Sequence, residues 1–207
     1  MRKNDILIKG DNMIDLYMVR HGRTLFNEKD RVQGFCDSPL TQLGLKQAQN
    51  VGKHLNIAFT IALSSPSERA VNTCEVIIQD RLPIRTDKRI KEMNFGNLEG
   101  EMNADLWKNG VTDFNELVRI GWVEEGGENE EMIMARIASF FQDLENEYEG
   151  ETILLTSHGM WIDFALKYMQ KENYYFHALE NGSVSHVRYV NGKWEMIDIG
   201  NATYKED

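Results

Sequence analysis

An arginine, a histidine and a glycine follow a short apolar run near the start of the chain, and a second histidine and glycine follow a later apolar run. The first stretch is LYMVRHGRT, residues 16–24, and the second is TILLTSHGM, residues 152–160. Both runs have the length and composition of buried strands. If the two strands are parallel, His21 and His158 reach one edge of the sheet, where each following glycine lets backbone N–H groups approach a ligand closely.

A third apolar run, IALSS, is followed by Pro66, and an arginine three residues further on lies in the first turn of the next helix. This residue is Arg69, and helix N-termini attract anions. We therefore predict that Arg20, His21, Arg69 and His158 converge at one site. Because the chain as a whole carries a formal charge of −10, a local cluster of positive donors indicates a small dianionic ligand. Phosphate is the obvious candidate.

Other interpretations of these four residues stay open on chemistry alone. A single histidine after a strand is more often a structural residue, and Arg20 or Arg69 could simply pair with a buried carboxylate. A metal site is disfavoured, because two histidines without a nearby cysteine or a His-x-x-x-His helix lack zinc spacing and the arginines would repel a cation. We predict no metal and no cofactor.

The elements that must position these residues alternate between strand and helix. Helices are predicted from Thr41 as N-cap and over residues 67–79, 130–148 and 161–169, and a terminal hairpin is predicted around Asn191-Gly192. This alternation predicts an α/β fold, a three-layer α/β/α sandwich with a mainly parallel central sheet and an antiparallel edge.

Length and composition narrow the class of protein. The 207 residues suit a single domain over 1–207 with a small, partly irregular cap at about 100–130. Residues 1–12 receive no assignment. The acidic charge disfavours nucleic acid and anionic membranes as partners, and the absence of a spanning apolar run or secretory signal favours a cytoplasmic protein. Two cysteines at unrelated positions do not indicate a disulfide framework.

Five ordered blocks of the sequence resemble the histidine phosphatase superfamily, which includes cofactor-dependent phosphoglycerate mutases and many small phosphatases. Its Arg-His-Gly-x-Thr signature stands here as residues 20–24. The similarity continues through Asn27, Gln33-Gly34 and the blocks DSPLTQLGLKQAQ, SSPSERAVNTCEVI, KEMNFGNLEG and TSHG. It covers nearly all of residues 16–189 and implies a phosphoglycerate mutase-like fold.

The resemblance also implies roles for individual residues. His21 would be the nucleophile that forms a phosphohistidine, and Glu92 would protonate the leaving group and then activate water. The groups expected to hold the phosphoryl oxygens are Arg20, Arg69 and His158, with Asn27 and the N–H of Gly159 as supporting donors. On sequence grounds alone, a surface acid in a charged stretch is an alternative interpretation of Glu92. Glu128 could reach the site from the cap or be solvated.

Hydrolysis of a small phosphorylated metabolite is the predicted reaction. Mutases of this family bind the phosphoglycerate carboxylate with basic residues of a long insertion, whereas residues 99–130 here offer only Lys108 and Arg119. A cofactor-dependent phosphoglycerate mutase is the nearest alternative, and a non-catalytic phosphate-binding protein is a more distant one. The cap aromatics Trp107, Phe114 and Trp122 could line a pocket or pack in the core. The substrate and the oligomeric state stay open.

Overall fold

A computed structural model describes residues 13–107, 110–170 and 174–205, so the unassigned residues 1–12 lie outside the described part of the chain. Six strands form one sheet: β1 Met13–Arg20, β2 Ile61–Ser64, β3 Ile84–Thr86, β4 Thr152–Ser157, β5 Val184–Val190 and β6 Lys193–Asn201. The α-helices are α1 Leu25–Glu28, α2 Gln42–His54, α3 Glu68–Ile78, α4 Phe114–Ile120, α5 Glu130–Glu147 and α6 Gly159–Gln170.

The sheet has the order β3-β2-β4-β1-β5-β6, with β1 to β4 parallel and the last two strands antiparallel. This confirms the predicted mainly parallel sheet with an antiparallel edge. In the register of β1 and β4, Arg20 lies opposite Ser157. The residues that follow these two strands are His21 and His158, so they leave the sheet side by side.

Helices cover both faces of the sheet because the strands are apolar on both sides. Leu16 and Leu155 face a core that includes α5 and α6, whereas Val19 and Leu154 face a second core built with α2 and α3. The three-layer arrangement predicted from the alternation of elements is therefore present.

The predicted helix boundaries follow their local signals. Thr41 caps α2 by accepting a hydrogen bond from the N–H of Gly44, and α5 buries the apolar residues Ile133, Ile137, Phe140, Phe141 and Leu144. The hairpin turns at Asn191 and Gly192 with φ values of 52° and 76°, which is the positive φ that this dipeptide tolerates. No helix in the described ranges has the length and apolar character required to cross a membrane.

The segment expected to form a cap contains α4 and two short 3₁₀ turns, Asn103–Leu106 and Val123–Glu125. Trp122 anchors it: the side chain is buried, its indole N–H donates to the carbonyl of Leu106, and its ring meets Phe95 edge to face. The segment is thus partly irregular but tied to the core through one large aromatic residue.

Gly22, the glycine after the first histidine, does not have the predicted role of bringing a free backbone N–H group close to a ligand. The N–H of Gly22 donates to Thr73 Oγ1, and a Cβ added at Gly22 would lie 2.3 Å from the carbonyl oxygen of Gly44. Gly22 therefore permits close packing of the histidine loop against α2, and its N–H is already used within the protein. A Cβ at Gly44 would likewise lie 2.1 Å from the carbonyl oxygen of Arg23.

This contact predicts that Gly44→Ala destabilises the protein although alanine is the better helix former. Helix propensity favours alanine by about 1 kcal/mol, but the clash is with backbone and cannot be relieved by a rotamer change. We expect the free energy of unfolding to fall by about 1–3 kcal/mol, measured by urea denaturation. The control is Gln49→Ala at an exposed position of the same helix; equal stability of the two variants would contradict the packing argument.

Candidate active site

Two buried imidazoles form the centre of the site at the carboxyl edge of the sheet. The ring centroids of His21 and His158 are 5.2 Å apart with the planes inclined at 64°. His21 is 3% exposed and His158 is 0% exposed. The register of β1 and β4 produces this proximity, since each histidine is the first residue after its strand.

The hydrogen bonds of His21 define which ring nitrogen is available. Nδ1 lies 2.8 Å from the carbonyl oxygen of Gly22, which can only accept, so Nδ1 carries the proton. Nε2 therefore bears the lone pair, and it faces the guanidinium Nε of Arg69 at 3.3 Å. The ring is held in the tautomer that a nucleophilic imidazole needs.

Arg69 is completely buried, and its other nitrogens are held by the loop that precedes α2. Nη1 donates to the carbonyl of Cys36 and to Asp37 Oδ1, both at 2.9 Å, and Nη2 donates to the carbonyl of Gly34 at 2.8 Å. Because these bonds fix the plane of the guanidinium, its Nε–H edge points at His21.

Both histidines have pKa values well below the ordinary 6.5. For His21 the causes are burial first and then the positive charges of Arg69 and Arg20; for His158 they are burial, Arg69 and His21. A low pKa keeps both rings neutral at physiological pH.

His158 is oriented by Ser65, which follows β2. Its Nε2 lies 2.8 Å from Ser65 Oγ, while its Nδ1 is buried and has no hydrogen-bond partner among the described residues. One ring nitrogen is therefore held by the protein, and the other is left for a ligand.

Arg20 provides a second buried nitrogen that is available to a ligand. Its Nη1 donates to the carbonyl of Leu179, whereas its buried Nε has no partner within the described ranges. Gly159 lies against this guanidinium: an added Cβ would be 3.3 Å from Arg20 Nε. The second glycine thus allows the arginine to lie close to the N-terminus of α6. Burial lowers the pKa of Arg20, and Glu92 opposes that effect.

Asn27 and Gln33 add amide groups to the lining of the smaller cavity. Asn27 Oδ1 accepts from Asn181 Nδ2 and from the N–H of Thr24, both at 3.1 Å, which leaves its Nδ2 as the donor of this amide. Gln33 Oε1 accepts from Thr24 Oγ1, and its buried Nε2 has no partner in the described structure.

Glu92 lies at the N-terminus of α6. Its Oε1 accepts from the N–H groups of Met93 and Trp161 at 2.9 and 3.0 Å, and its Oε2 has a longer contact of 3.3 Å with the N–H of Met160. Glu92 is 7% exposed and lines both cavities beside the histidines. Oε2 is the less strongly held oxygen and the one better suited to exchange a proton.

Burial raises the pKa of Glu92, and this effect outweighs the hydrogen bonds and the charges of Arg69 and Arg20, which lower it. The site therefore contains neutral imidazoles together with a carboxyl group that retains its proton to higher pH than an exposed glutamate does. That combination suits nucleophilic attack with general acid assistance.

A buried ion pair holds the segment that carries Glu92. Arg136 on α5 bonds Glu128 through two nitrogens at 2.8 and 2.9 Å, and it donates to the carbonyls of Arg89, Lys91 and Glu92. Glu128 also accepts from the N–H of Asn94 at 2.9 Å. Glu128 is therefore not a solvated acid, and it is not among the described residues that line the two cavities beside the histidines. Its role is to hold the backbone of the segment that carries Glu92.

Glu99 holds the backbone of the loop that binds Arg69, as Arg136 and Glu128 hold the segment of Glu92. Its carboxylate accepts hydrogen bonds from the N–H groups of Phe35, Cys36 and Phe95. The carbonyl of Cys36 in turn accepts from Arg69. The block KEMNFGNLEG thus contains one acid that lines the site, Glu92, and one acid that holds a supporting loop, Glu99.

Two cavities adjoin the histidines and share Arg20, Glu92, Phe114 and Met160. The larger, of about 420 Å³, is lined in addition by Gly159, Asp163, Phe176, Ala178 and Leu179. The smaller, of about 200 Å³, contains His21, Asn27, Arg31 and Gln33 and the cap aromatics Trp107 and Trp122. We call them the larger and the smaller lobe. Among the described residues, no group of three or more His, Cys, Asp or Glu side chains could hold a metal.

Comparison with known proteins identifies the family. The sequence model of the histidine phosphatase superfamily (branch 1) matches residues 16–202. The chain belongs to the histidine phosphatase superfamily. Among curated relatives, the probable phosphoglycerate mutase GpmB of Proteus mirabilis is 33% identical in an alignment of 197 residues, and the match covers 88% of this chain and 88% of that protein.

Solved structures of this superfamily share the fold. A phosphoglycerate mutase from Bacillus anthracis superposes with a TM-score of 0.86 at 28% identity, covering 95% of this chain and 97% of its own. A phosphoserine phosphatase from Entamoeba histolytica gives a TM-score of 0.77 at 27% identity, covering 92% and 98%. Proteins named as a mutase and as a phosphatase are therefore both among those to which this chain is similar.

The structure brings together all seven residues that the sequence singled out for the site: Arg20, His21, Asn27, Arg69, Glu92, His158 and Gly159. Two residues of the site were not predicted from sequence: Ser65, which orients His158, and Arg136, which holds the Glu92 segment. Gln33 was predicted only as a part of the family pattern, without a role in the site. Ser65 could have been suspected from its position after a strand, next to the other strand ends of the site.

The Arg136–Glu128 pair predicts a large loss of stability when one partner is removed. In Arg136→Met, the Glu128 carboxyl group loses its cationic partner at a largely buried position, and breaking such a pair costs about 3–5 kcal/mol. We expect that loss in urea denaturation, and a partial recovery in the double variant Arg136→Met/Glu128→Gln. The pair's side chains are only 15% and 10% exposed.

Lys167→Met is the matched control, because Lys167 pairs with Glu130 at a position where both side chains are about one quarter exposed. An exposed pair of this kind contributes about 0–1 kcal/mol. Similar losses in the two single variants would show that burial of the Arg136 pair has no energetic significance.

Proposed function

We propose that this protein is a metal-independent phosphomonoester hydrolase that acts on a small phosphorylated metabolite through a phosphohistidine at His21. The observation that carries the proposal is the arrangement around His21 Nε2. This nitrogen bears a lone pair and faces a buried arginine, and two buried nitrogens without a partner among the described residues, Arg20 Nε and His158 Nδ1, lie in the same cluster. A phosphoryl group offers the oxygens that these nitrogens require when they carry a proton.

In the first step, His21 Nε2 attacks phosphorus, the N–P bond forms and the P–O bond to the leaving alcohol breaks. Glu92 Oε2 gives its proton to the departing oxygen, so the alcohol leaves neutral. Arg20, Arg69 and His158 hold the non-bridging oxygens on which negative charge is concentrated in the transition state. Asn27, Gln33 and the N–H of Gly159 are further donors.

In the second step, the Glu92 carboxylate takes a proton from water. The water oxygen bonds to phosphorus and the N–P bond breaks, which returns the lone pair to His21 and releases phosphate. Because Glu92 ends as a carboxylic acid, the enzyme regains its starting state without an external proton donor.

Hydrolysis is favoured over phosphoglycerate isomerisation by the character of the larger lobe. The described residues that line it supply Arg20, already assigned to the phosphoryl group, and two acids, Glu92 and Asp163. A phosphoglycerate carboxylate would meet a negative charge there. Arg119 is exposed on α4, and Lys108 lies outside the described residues.

The mutase is the second candidate, and Arg31 is the observation that favours it. This arginine lines the smaller lobe, although one of its nitrogens donates to the carbonyl of Gly100. A carboxylate bound there would leave the phosphoryl end of the substrate near His21. A non-catalytic phosphate-binding protein would use the same donors without forming a covalent bond.

Brief mixing with a labelled phosphomonoester is predicted to give an acid-labile phosphate on His21, because the attacking atom is Nε2. His21→Ala should lose both label and turnover, whereas His54→Ala, at an exposed histidine, should keep both. A chelator should leave turnover unchanged.

The same protein preparation distinguishes the three candidate functions: hydrolase, mutase and phosphate-binding protein. With 3-phosphoglycerate, we expect phosphate release that does not depend on the bisphosphate primer. Fast primer-dependent isomerisation with negligible phosphate release would make the protein a mutase. Phosphate binding with neither label nor turnover on sugar, nucleotide, glycerate and aryl phosphates would make it a binding protein.

The pH dependence of kcat/KM follows from the two shifted pKa values. His21 must be neutral, and because its pKa is lowered the acid limb should lie well below pH 6.5. Glu92 must be protonated to act as acid, and because its pKa is raised the alkaline limb should lie above 4.5. Activity should therefore be highest between these limbs, at acidic to neutral pH.

Glu92→Gln tests the assignment of the alkaline limb. We expect a loss of about 10²–10⁴-fold with an alkyl phosphate, a smaller loss with a nitrophenyl phosphate that needs no protonation, and a flattened alkaline limb. An unchanged alkaline limb in this variant, with the substrate's own ionisation accounted for, would mean that another group titrates there.

A further inference from the structure

The larger lobe combines apolar walls with one carboxylate that the proposed reaction does not use. Phe114, Met160, Phe176 and Leu179 form the walls, and Asp163 contributes the carboxylate. Asp163 follows Gly159 by four residues, so it stands about one turn, or roughly 6 Å, further along α6 from the phosphoryl end. Its side chain is 5% exposed.

The described partners of Asp163 carry no permanent positive charge. Oδ1 accepts from the hydroxyl of Tyr174, from the N–H of His177 at 3.0 Å, and lies 3.1 Å from His177 Nδ1. Lys167, one turn further along the helix, is paired with Glu130. The described contacts thus fix the position of the carboxylate without an arginine or lysine to neutralise it.

Arg20 is a permanent cation that lines the same lobe, and the charge of Asp163 acts to raise its pKa. In the proposed reaction, however, Arg20 binds the phosphoryl dianion together with Arg69, so its positive charge is compensated there. When substrate is bound, the negative charge of Asp163 therefore lies on the leaving-group side without a permanently charged counterion among the described residues. In a partly desolvated cavity, such a charge attracts a cation and repels an anion more strongly than it does in water.

We propose that Asp163 is a specificity residue that selects phosphomonoesters whose alcohol carries an ammonium group on a compact apolar body. The inference rests on the proposed function and names the substrate class of that same site. A cavity of about 420 Å³ has room for one aromatic ring with a short arm, and the aromatic and aliphatic walls bury such a body while Asp163 binds the cation. The same carboxylate disfavours alcohols that bear a carboxylate.

Three matched aryl phosphates test the proposal: 4-(aminomethyl)phenyl, 4-ethylphenyl and 4-(carboxymethyl)phenyl phosphate. Their rings are identical and their para groups are cationic, neutral and anionic at pH 7. For the native protein we expect kcat/KM to fall in that order, with the ammonium substrate favoured over the neutral one by about tenfold or more, as a charge-assisted hydrogen bond provides. Equal values for the three substrates would overturn the proposal.

Asp163→Asn removes the charge and keeps the shape. We expect it to abolish the preference for the ammonium substrate, to improve relative activity on the carboxylate substrate, and to leave kcat/KM for 4-ethylphenyl phosphate within about threefold. Tyr174→Phe is the matched control: it removes one donor to Asp163 but leaves the charge, so the preference should persist.

Loss of the preference in Tyr174→Phe to the same degree as in Asp163→Asn would mean that the lobe selects by shape, and would overturn the proposal. Should Asp163→Asn not fold, the ranking of the three substrates by the native protein and by Tyr174→Phe still decides the matter. Hydrolysis of all three esters at equal rates with labelling of His21 would refute only the role of Asp163. No hydrolysis and no label with any ester would refute the proposed function itself.

Discussion

The whole site depends on one fully buried cation, Arg69. A guanidinium removed from water is costly unless its donors are satisfied, and here two backbone carbonyls and Asp37 satisfy them on one side. The remaining N–H is directed at the lone pair of His21. Burial lowers the pKa of both histidines, and the charge of Arg69 lowers it further, so one buried residue orients the reactive ring and helps to keep it neutral.

Supporting groups far apart in sequence maintain this arrangement through backbone contacts. Glu99 orders the loop whose carbonyls receive Arg69, and Arg136 with Glu128 orders the segment that carries Glu92. The Arg136–Glu128 pair is largely shielded from solvent, so its hydrogen bonds are strong and loss of one partner leaves an unpaired charge. Loss of Glu99 would instead leave three backbone N–H groups without their acceptor. The geometry of the reacting groups therefore depends on residues that never approach the phosphoryl position.

The fold and the central residues could be predicted because their signals are local. Strand-end positions follow from periodicity, and the parallel register then brings His21 and His158 together without knowledge of any side-chain contact. The role of Gly22 was predicted wrongly because close packing against Gly44 depends on how α2 meets the histidine loop. Glu128 and Arg136 were not interpretable from sequence, since an acid and an arginine eight residues apart look the same whether they are solvated or pair in the interior.

Glu92 shows why position at a helix terminus is not enough to determine the state of a carboxyl group. Backbone N–H groups at the start of α6 and two nearby arginines favour the anion, and a solvated glutamate in that setting would have a low pKa. Burial acts in the opposite direction and is the larger effect. The opposition is useful for a group that must give a proton in one half-reaction and take one in the next: strong stabilisation of either form would slow the other step. Because Met93 and Trp161 hold Oε1, the proton can come and go at Oε2 while the carboxyl group stays in place.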